Sequence, residues 1–125
     1  MYKEEISQEA LYARGKKNIE SASNIFDKKK FSNDIVQNML LNGMENLLAA
    51  MVQQAGLDIP GHNLGALVEA LRKEDTVDEY LEERLMFLKK YSCSRGTSTC
   101  SNEMIMELIN TAETCMAWYE KRGMQ

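Results

Sequence analysis

The chain has 125 residues, 44% hydrophobic and 27% charged, which is the composition of one globular domain spanning residues 1–125. Its net charge of -4 disfavours nonspecific attraction of the whole surface to nucleic acid or anionic membranes. No apolar leader or membrane-length apolar run is present, so we expect a cytoplasmic protein without membrane contact. One histidine and three cysteines without CxxC spacing indicate neither a metal nor another cofactor. Free thiols are the favoured interpretation, and whether Cys93 and Cys100 pair stays open.

The first half of the chain predicts two helices. Apolar residues recur at three- and four-residue intervals from residue 5 to about residue 27, which indicates a first helix. A second helix begins after Ser32, a good N-cap, and runs to about Ala55, where Gly56 favours a Schellman stop. The second helix is apolar on nearly every side, so it belongs at the centre of a bundle or in a subunit interface. Its Gly43 predicts a close approach to another helix.

The second half predicts three further helices, and no strand pattern competes with them. A leucine stripe after residues 60–63 indicates a short third helix, and Thr76 with Glu79 forms a capping box for a fourth. Residues 92–101 form a polar loop whose last serine caps a fifth helix, which ends at Gly123. The sequence therefore predicts an all-α, up-and-down helical bundle of about five helices.

Two polar residues stand out within this apolar pattern. Glu45 on the second helix either finds a buried partner or lies on one solvated edge, because three asparagines follow the same helical spacing beside it. His62 is the only imidazole, and its place at the start of the third helix favours capping or packing over catalysis. We therefore assign both residues to structural polar roles.

Arg95 is the most informative charged residue. It lies in the polar loop between the fourth and fifth helices, where a guanidinium can bind phosphate bidentately. Tyr91, Lys89 and Lys90 precede it on the same segment. Together these four residues form a predicted phosphate-binding edge, while the other lysines are expected to be solvated.

The order of these features resembles the HEPN family (higher eukaryotes and prokaryotes nucleotide-binding domain). In that family a long second helix carries a glutamate among small and apolar residues, as Glu45 does here, and a loop with proline and histidine opens a leucine-patterned helix, as at residues 60–67. Tyr91 and Arg95 resemble the tyrosine–arginine element near the end of the family's fourth helix. The resemblance runs from about residue 10 to residue 118. It implies a bundle that self-associates and binds nucleotides or RNA, or accompanies a nucleotidyltransferase-type protein in toxin–antitoxin-like pairs.

One family motif is incomplete in this sequence. Ribonuclease members carry a histidine four to six residues after the arginine, and no histidine follows Arg95. The family's lysine after the helix-two glutamate is replaced by Leu48 and Ala49. The resemblance thus implies a non-catalytic binding or partner module. Two alternatives stay open: a divergent metal-independent ribonuclease, a HEPN toxin using Arg95 with a neighbouring serine, threonine or Tyr91, and a structural protein–protein adaptor.

Overall fold

The computed structural model describes residues 7–29, 31–58, 63–94 and 100–123, and these form five α-helices without a strand. The helices are α1 (Gln8–Lys28), α2 (Asn33–Gln54), α3 (Leu64–Arg72), α4 (Glu79–Ser94) and α5 (Asn102–Gly123). The predicted all-α bundle of five helices is confirmed. Within the described ranges, no helix combines the length and the apolar character that crossing a membrane requires.

The predicted ends of α2 are confirmed. The Ser32 side chain accepts a hydrogen bond from the Ile35 amide at 3.5 Å, so Ser32 is the N-cap. At the other end Gly56 adopts a positive φ of 78°. The amide of Leu57 donates to the Val52 carbonyl at 3.0 Å, and the amide of Gly56 donates to the Gln53 carbonyl at 2.9 Å. These two bonds make a Schellman motif, which satisfies carbonyls that would otherwise lack donors.

The predicted capping box of α4 is wrong. The helix begins at Glu79, and the Asp78 carboxylate accepts the Leu81 amide at 2.8 Å. An aspartate is favoured at this position because its negative charge complements the positive end of the helix. Thr76 instead contacts α5. Its carbonyl accepts a hydrogen bond from the Trp118 indole N–H at 3.2 Å, and its hydroxyl accepts one from Arg122 Nη1 at 2.7 Å.

Helix α2 forms the centre of the bundle and packs against α1, α3 and α5. Eleven of its residues are buried, which fits its nearly continuous apolar sequence. The exception is one edge, where Asn38 and Asn42 are exposed while Glu45 and Asn46 are half-buried. Of the two alternatives for Glu45, the solvated edge is therefore the one observed.

Helices α1 and α2 cross at a pair of glycines, Gly15 and Gly43. A Cβ atom added to Gly15 would lie 2.8 Å from the Gly43 carbonyl oxygen and 2.9 Å from the Leu47 amide nitrogen. Side chains larger than hydrogen do not fit there, so the two backbones pack directly on each other. The close approach predicted from Gly43 is confirmed.

Helices α4 and α5 are antiparallel, and this arrangement gives the bundle two distinct ends. Arg84 of α4 pairs with Glu107 of α5 at 2.7 Å near the middle of the contact. Toward one end, Tyr91 contacts Cys100, which precedes α5. Toward the other end, Thr76 contacts Trp118. Helix α2 runs parallel to α5, because Asn33 contacts Asn102 at the first end and Gln54 contacts Tyr119 at the second.

Candidate functional site

The predicted site residues are divided between described and undescribed parts of the chain. Arg95 and His62 lie outside the described residues. Lys89, Lys90 and Tyr91 belong to the last turns of α4, and Glu45 lies on the solvated edge of α2. The geometry of the site is therefore built from the end of α4 and from the helices against which it packs.

Tyr91 fixes the end of α4 to two other elements. Its hydroxyl donates a hydrogen bond to the Gln37 side-chain oxygen on α2. The same hydroxyl lies 3.0 Å from the Cys100 sulfur. Its ring stacks on Phe87 one turn earlier, with ring centroids 6.0 Å apart. Tyr91, four positions before the undescribed segment 95–99, and Cys100, directly after it, thus both lie near the first turns of α2.

Asn33 joins the beginnings of α2 and α5. Its side-chain nitrogen donates to the Cys100 carbonyl oxygen at 2.9 Å and to the Asn102 side-chain oxygen at 2.9 Å. A small cavity of about 200 Å³ opens beside this bridge, lined by Phe26, Lys29 and Phe31 as well as the two asparagines. We call this region, defined by Lys29, Asn33, Cys100 and Asn102, the α2–α5 corner.

The charges around the α2–α5 corner act on an anion in opposite directions. The helix N-termini attract it, and two acidic side chains repel it. Both helix N-termini, with the positive ends of their dipoles, lie at the corner, and the serine caps already accept the Ile35 and Met104 amides. Lys29 adds an exposed ammonium group. Asp34 and Glu103, in the first turns of α2 and α5, carry opposing charges. A phosphate bound here would therefore need a further cation, which is the role that the sequence predicts for Arg95.

The two predicted lysines do not gather with Tyr91. Lys89 points toward α3, where its ammonium lies 2.6 Å from a Glu69 carboxylate oxygen. That hydrogen bond, together with a second from Arg72, lowers the pKa of Glu69 below its usual value. Lys90 is exposed and lines a concave surface with Arg72 and Phe87. The predicted edge is thus split across three sides of α4, and Tyr91 is its described member closest to the α2–α5 corner.

The opposite end of the α4–α5 pair holds a larger concave surface that we did not predict. Trp118 and Arg122 lie one turn apart on α5, and the guanidinium carbon lies 4.8 Å from the centroid of the indole ring. The sequence does carry one signal for this surface. Trp118 and Arg122 are four residues apart, which places the two side chains on one helix face.

The described residues contain no group of three or more histidine, cysteine, aspartate or glutamate side chains positioned to hold a metal ion. Cys100 and Cys115 are both free and buried. No protein-family model, no curated protein and no solved structure matches this chain.

Proposed function

We propose that this protein is a non-catalytic, HEPN-like binding module that holds a phosphate of a nucleotide or RNA at the α2–α5 corner. The observation that carries the proposal is the Asn33 bridge, which brings the N-termini of two long helices together beside Tyr91. Arg95 follows α4 directly in the sequence and is the proposed charged ligand of the phosphate. The family resemblance supplies the nucleotide or RNA as the ligand class.

The dimensions of the corner support a phosphate contact with the remainder of the ligand outside. The cavity of about 200 Å³ is smaller than the pockets that enclose a whole small-molecule ligand, which start at about 300 Å³. Phosphate groups accept hydrogen bonds from backbone amides at helix N-termini and from arginine. A single-stranded RNA backbone can present such a group while its bases stay exposed. Contacts of this kind position a nucleic acid but do not select its sequence.

The test compares wild type with Arg95→Ala and with Arg14→Ala, which removes an exposed arginine of α1. Binding of a fluorescent single-stranded RNA is followed by anisotropy at several salt concentrations. We expect Arg95→Ala to weaken binding about tenfold and to lower the salt slope by roughly one unit. Arg14→Ala should match wild type. Equal affinities for the two variants would contradict the assignment of Arg95.

The same samples distinguish binding from turnover. The RNA is analysed by gel after incubation, and we expect it to stay intact with all three proteins. Cleavage by wild type that disappears in Arg95→Ala would instead support the divergent ribonuclease. In that case the protein would be an enzyme and not a binding module, and Arg95 would still belong to its site.

A second candidate function is protein partnership, and exposed apolar side chains near the corner favour it. Phe31 is 52% exposed, Ile35 is 46% exposed, and Met106 is 61% exposed. Phe31 lines the corner cavity, and the other two lie within one turn of its asparagines. The partner would be a second copy of the chain or a nucleotidyltransferase-type protein. Light scattering of wild type and an Ile35→Ser, Met106→Ser variant tests self-association, which the double substitution should weaken.

A further inference from the structure

A groove of about 440 Å³ lies between the start of α4 and the last two turns of α5. One wall is apolar and aromatic, formed by Tyr80, Leu81, Ala117 and Trp118. Tyr80 is 53% exposed, so its ring borders the open side of the groove. The volume falls within the range of small-molecule sites, and the flat side chains offer surfaces on which a ring can stack.

The polar wall is built around Arg122. Its guanidinium packs on the Trp118 ring, and Nη1 donates to the Thr76 hydroxyl at 2.7 Å. Its contact with the Glu74 carboxylate is long, at 3.9 Å. The Nε atom is buried and has no hydrogen-bond acceptor among the residues that the structure describes. Because Nη1 contacts Glu74 only at this long distance, the guanidinium keeps hydrogen-bonding capacity for an additional oxygen ligand.

The other charged side chains of the groove determine where an anion can bind. Lys121 is exposed beside Arg122, and it has no ion pair or hydrogen bond with the described part of the chain. The Asp78 carboxylate, which lines the groove and caps α4 through the Leu81 amide, keeps its negative charge, so an incoming anion must lie on the side of Arg122 and Lys121. The two basic side chains are therefore the groups on which an incoming anion can bind.

We propose that this groove binds a small molecule in which a flat aromatic ring carries one anionic group, a carboxylate or a phosphate. The anionic group lies against Arg122 and Lys121 and accepts hydrogen bonds from their accessible N–H groups. The ring stacks along Tyr80 and Trp118. This site lies at the opposite end of the bundle from the α2–α5 corner and does not depend on the function proposed there.

The chain offers a direct reporter for this site, because Trp118 is its only tryptophan. Benzoate and phenyl phosphate serve as the probes, and they distinguish a carboxylate from a phosphate as the anionic group. Benzyl alcohol tests the ring without the charge, and inorganic phosphate tests the charge without the ring. Binding is followed through the indole N–H signal in NMR spectra and through tryptophan fluorescence.

We expect at least one aromatic anion to bind saturably and about tenfold or more tightly than benzyl alcohol and inorganic phosphate, the difference that one charge-assisted hydrogen bond can supply. Arg122→Gln and Lys121→Gln should each weaken that binding, while Lys17→Gln, at an exposed position of α1, should not. The proposal is overturned if neither anion changes the Trp118 signals, if benzyl alcohol binds equally well, or if both groove variants bind like wild type. Should Arg122→Gln fail to fold, Lys121→Gln decides, since that side chain is exposed.

Discussion

Gly15 is the residue at which the packing of α1 on α2 is most sensitive. A Cβ there would meet the backbone of Gly43 and Leu47 at 2.8–3.2 Å, and backbone atoms cannot move aside as a flexible side chain can. We expect Gly15→Ala to lower the free energy of unfolding by about 1–3 kcal/mol, although alanine is the better helix former by about 1 kcal/mol.

Chemical denaturation of Gly15→Ala, Gly43→Ala and Asn24→Ala measures this effect. Asn24 is an exposed position of the same helix, so its replacement isolates the helix-propensity contribution. Gly43→Ala should also destabilise, since its added Cβ would lie 2.9 Å from an Ile19 side-chain carbon and 3.0 Å from the Gly15 carbonyl. A Gly15→Ala protein as stable as Asn24→Ala would contradict the direct backbone contact.

Because of Cys115, the stability of the protein should decrease at alkaline pH. Burial raises the pKa of its thiol from 9.0 to about 12. A group whose pKa is higher in the folded state stabilises the fold below its unfolded pKa, and this contribution is lost as pH rises from 9.0 to about 12. We expect the stability difference between wild type and Cys115→Ala to shrink by about 2 kcal/mol between about pH 8 and about pH 10.5.

Urea denaturation of both proteins at the two pH values provides the measurement. The raised pKa of Tyr12, caused mainly by burial and then by its hydrogen bond to Glu120, acts in the same direction in both proteins and cancels in the difference. A stability difference that is constant with pH would show that the Cys115 thiol ionises equally in the folded and unfolded states.

At the level of single elements, α4 shows how a cap determines where a helix begins. Asp78 supplies the oxygen that accepts the Leu81 amide, so Asp78→Ala should lower stability by about 1 kcal/mol. Thr76→Ala should cost less, because Thr76 makes no cap and its side chain loses only an exposed hydrogen bond from Arg122. Thermal denaturation of the two variants tests this order. A larger loss in Thr76→Ala would support the capping box that we had predicted from sequence.

The helices that could be predicted well are those whose signals are local. Ser32 and Ser101 each precede an apolar stripe, and both are observed as caps. Near α4, three candidate residues lie within four positions, and the choice among them depends on Trp118 and Arg122, which bind Thr76 from about forty residues away. Pairwise contacts over that distance leave no local pattern in a single sequence.

The candidate site was predictable only in part for the same reason. Lys89, Lys90 and Tyr91 are adjacent in sequence, which suggested one binding edge. On a helix, successive residues point about 100° apart, so Lys89 reaches Glu69 on α3 while Tyr91 reaches Gln37 on α2. The Asn33 bridge to Asn102 joins residues 69 positions apart and had no sequence signal.

At the level of the whole molecule, the antiparallel α4–α5 pair separates two surfaces of different chemistry. The α2–α5 corner combines two helix N-termini with a small polar cavity. The groove at the other end combines aromatic rings with two basic side chains. Helix α2 connects the two ends, since its first residue belongs to the corner and its last residue, Gln54, donates to the Tyr119 carbonyl at 3.0 Å near the groove. The corner cavity and the groove share no lining residue, so separate variants can test a ligand at each end independently.

The measurement that tests the central claim most directly is the mapping of RNA binding on backbone amide NMR signals of the wild-type protein. We predict shifts concentrated at the first turns of α2 and α5, at Cys100 and at Tyr91, with the Trp118 indole signal unchanged at the other end. Shifts confined to other surfaces, or no shifts at RNA concentrations well above those that saturate other single-strand-binding modules, would contradict a phosphate site at the α2–α5 corner.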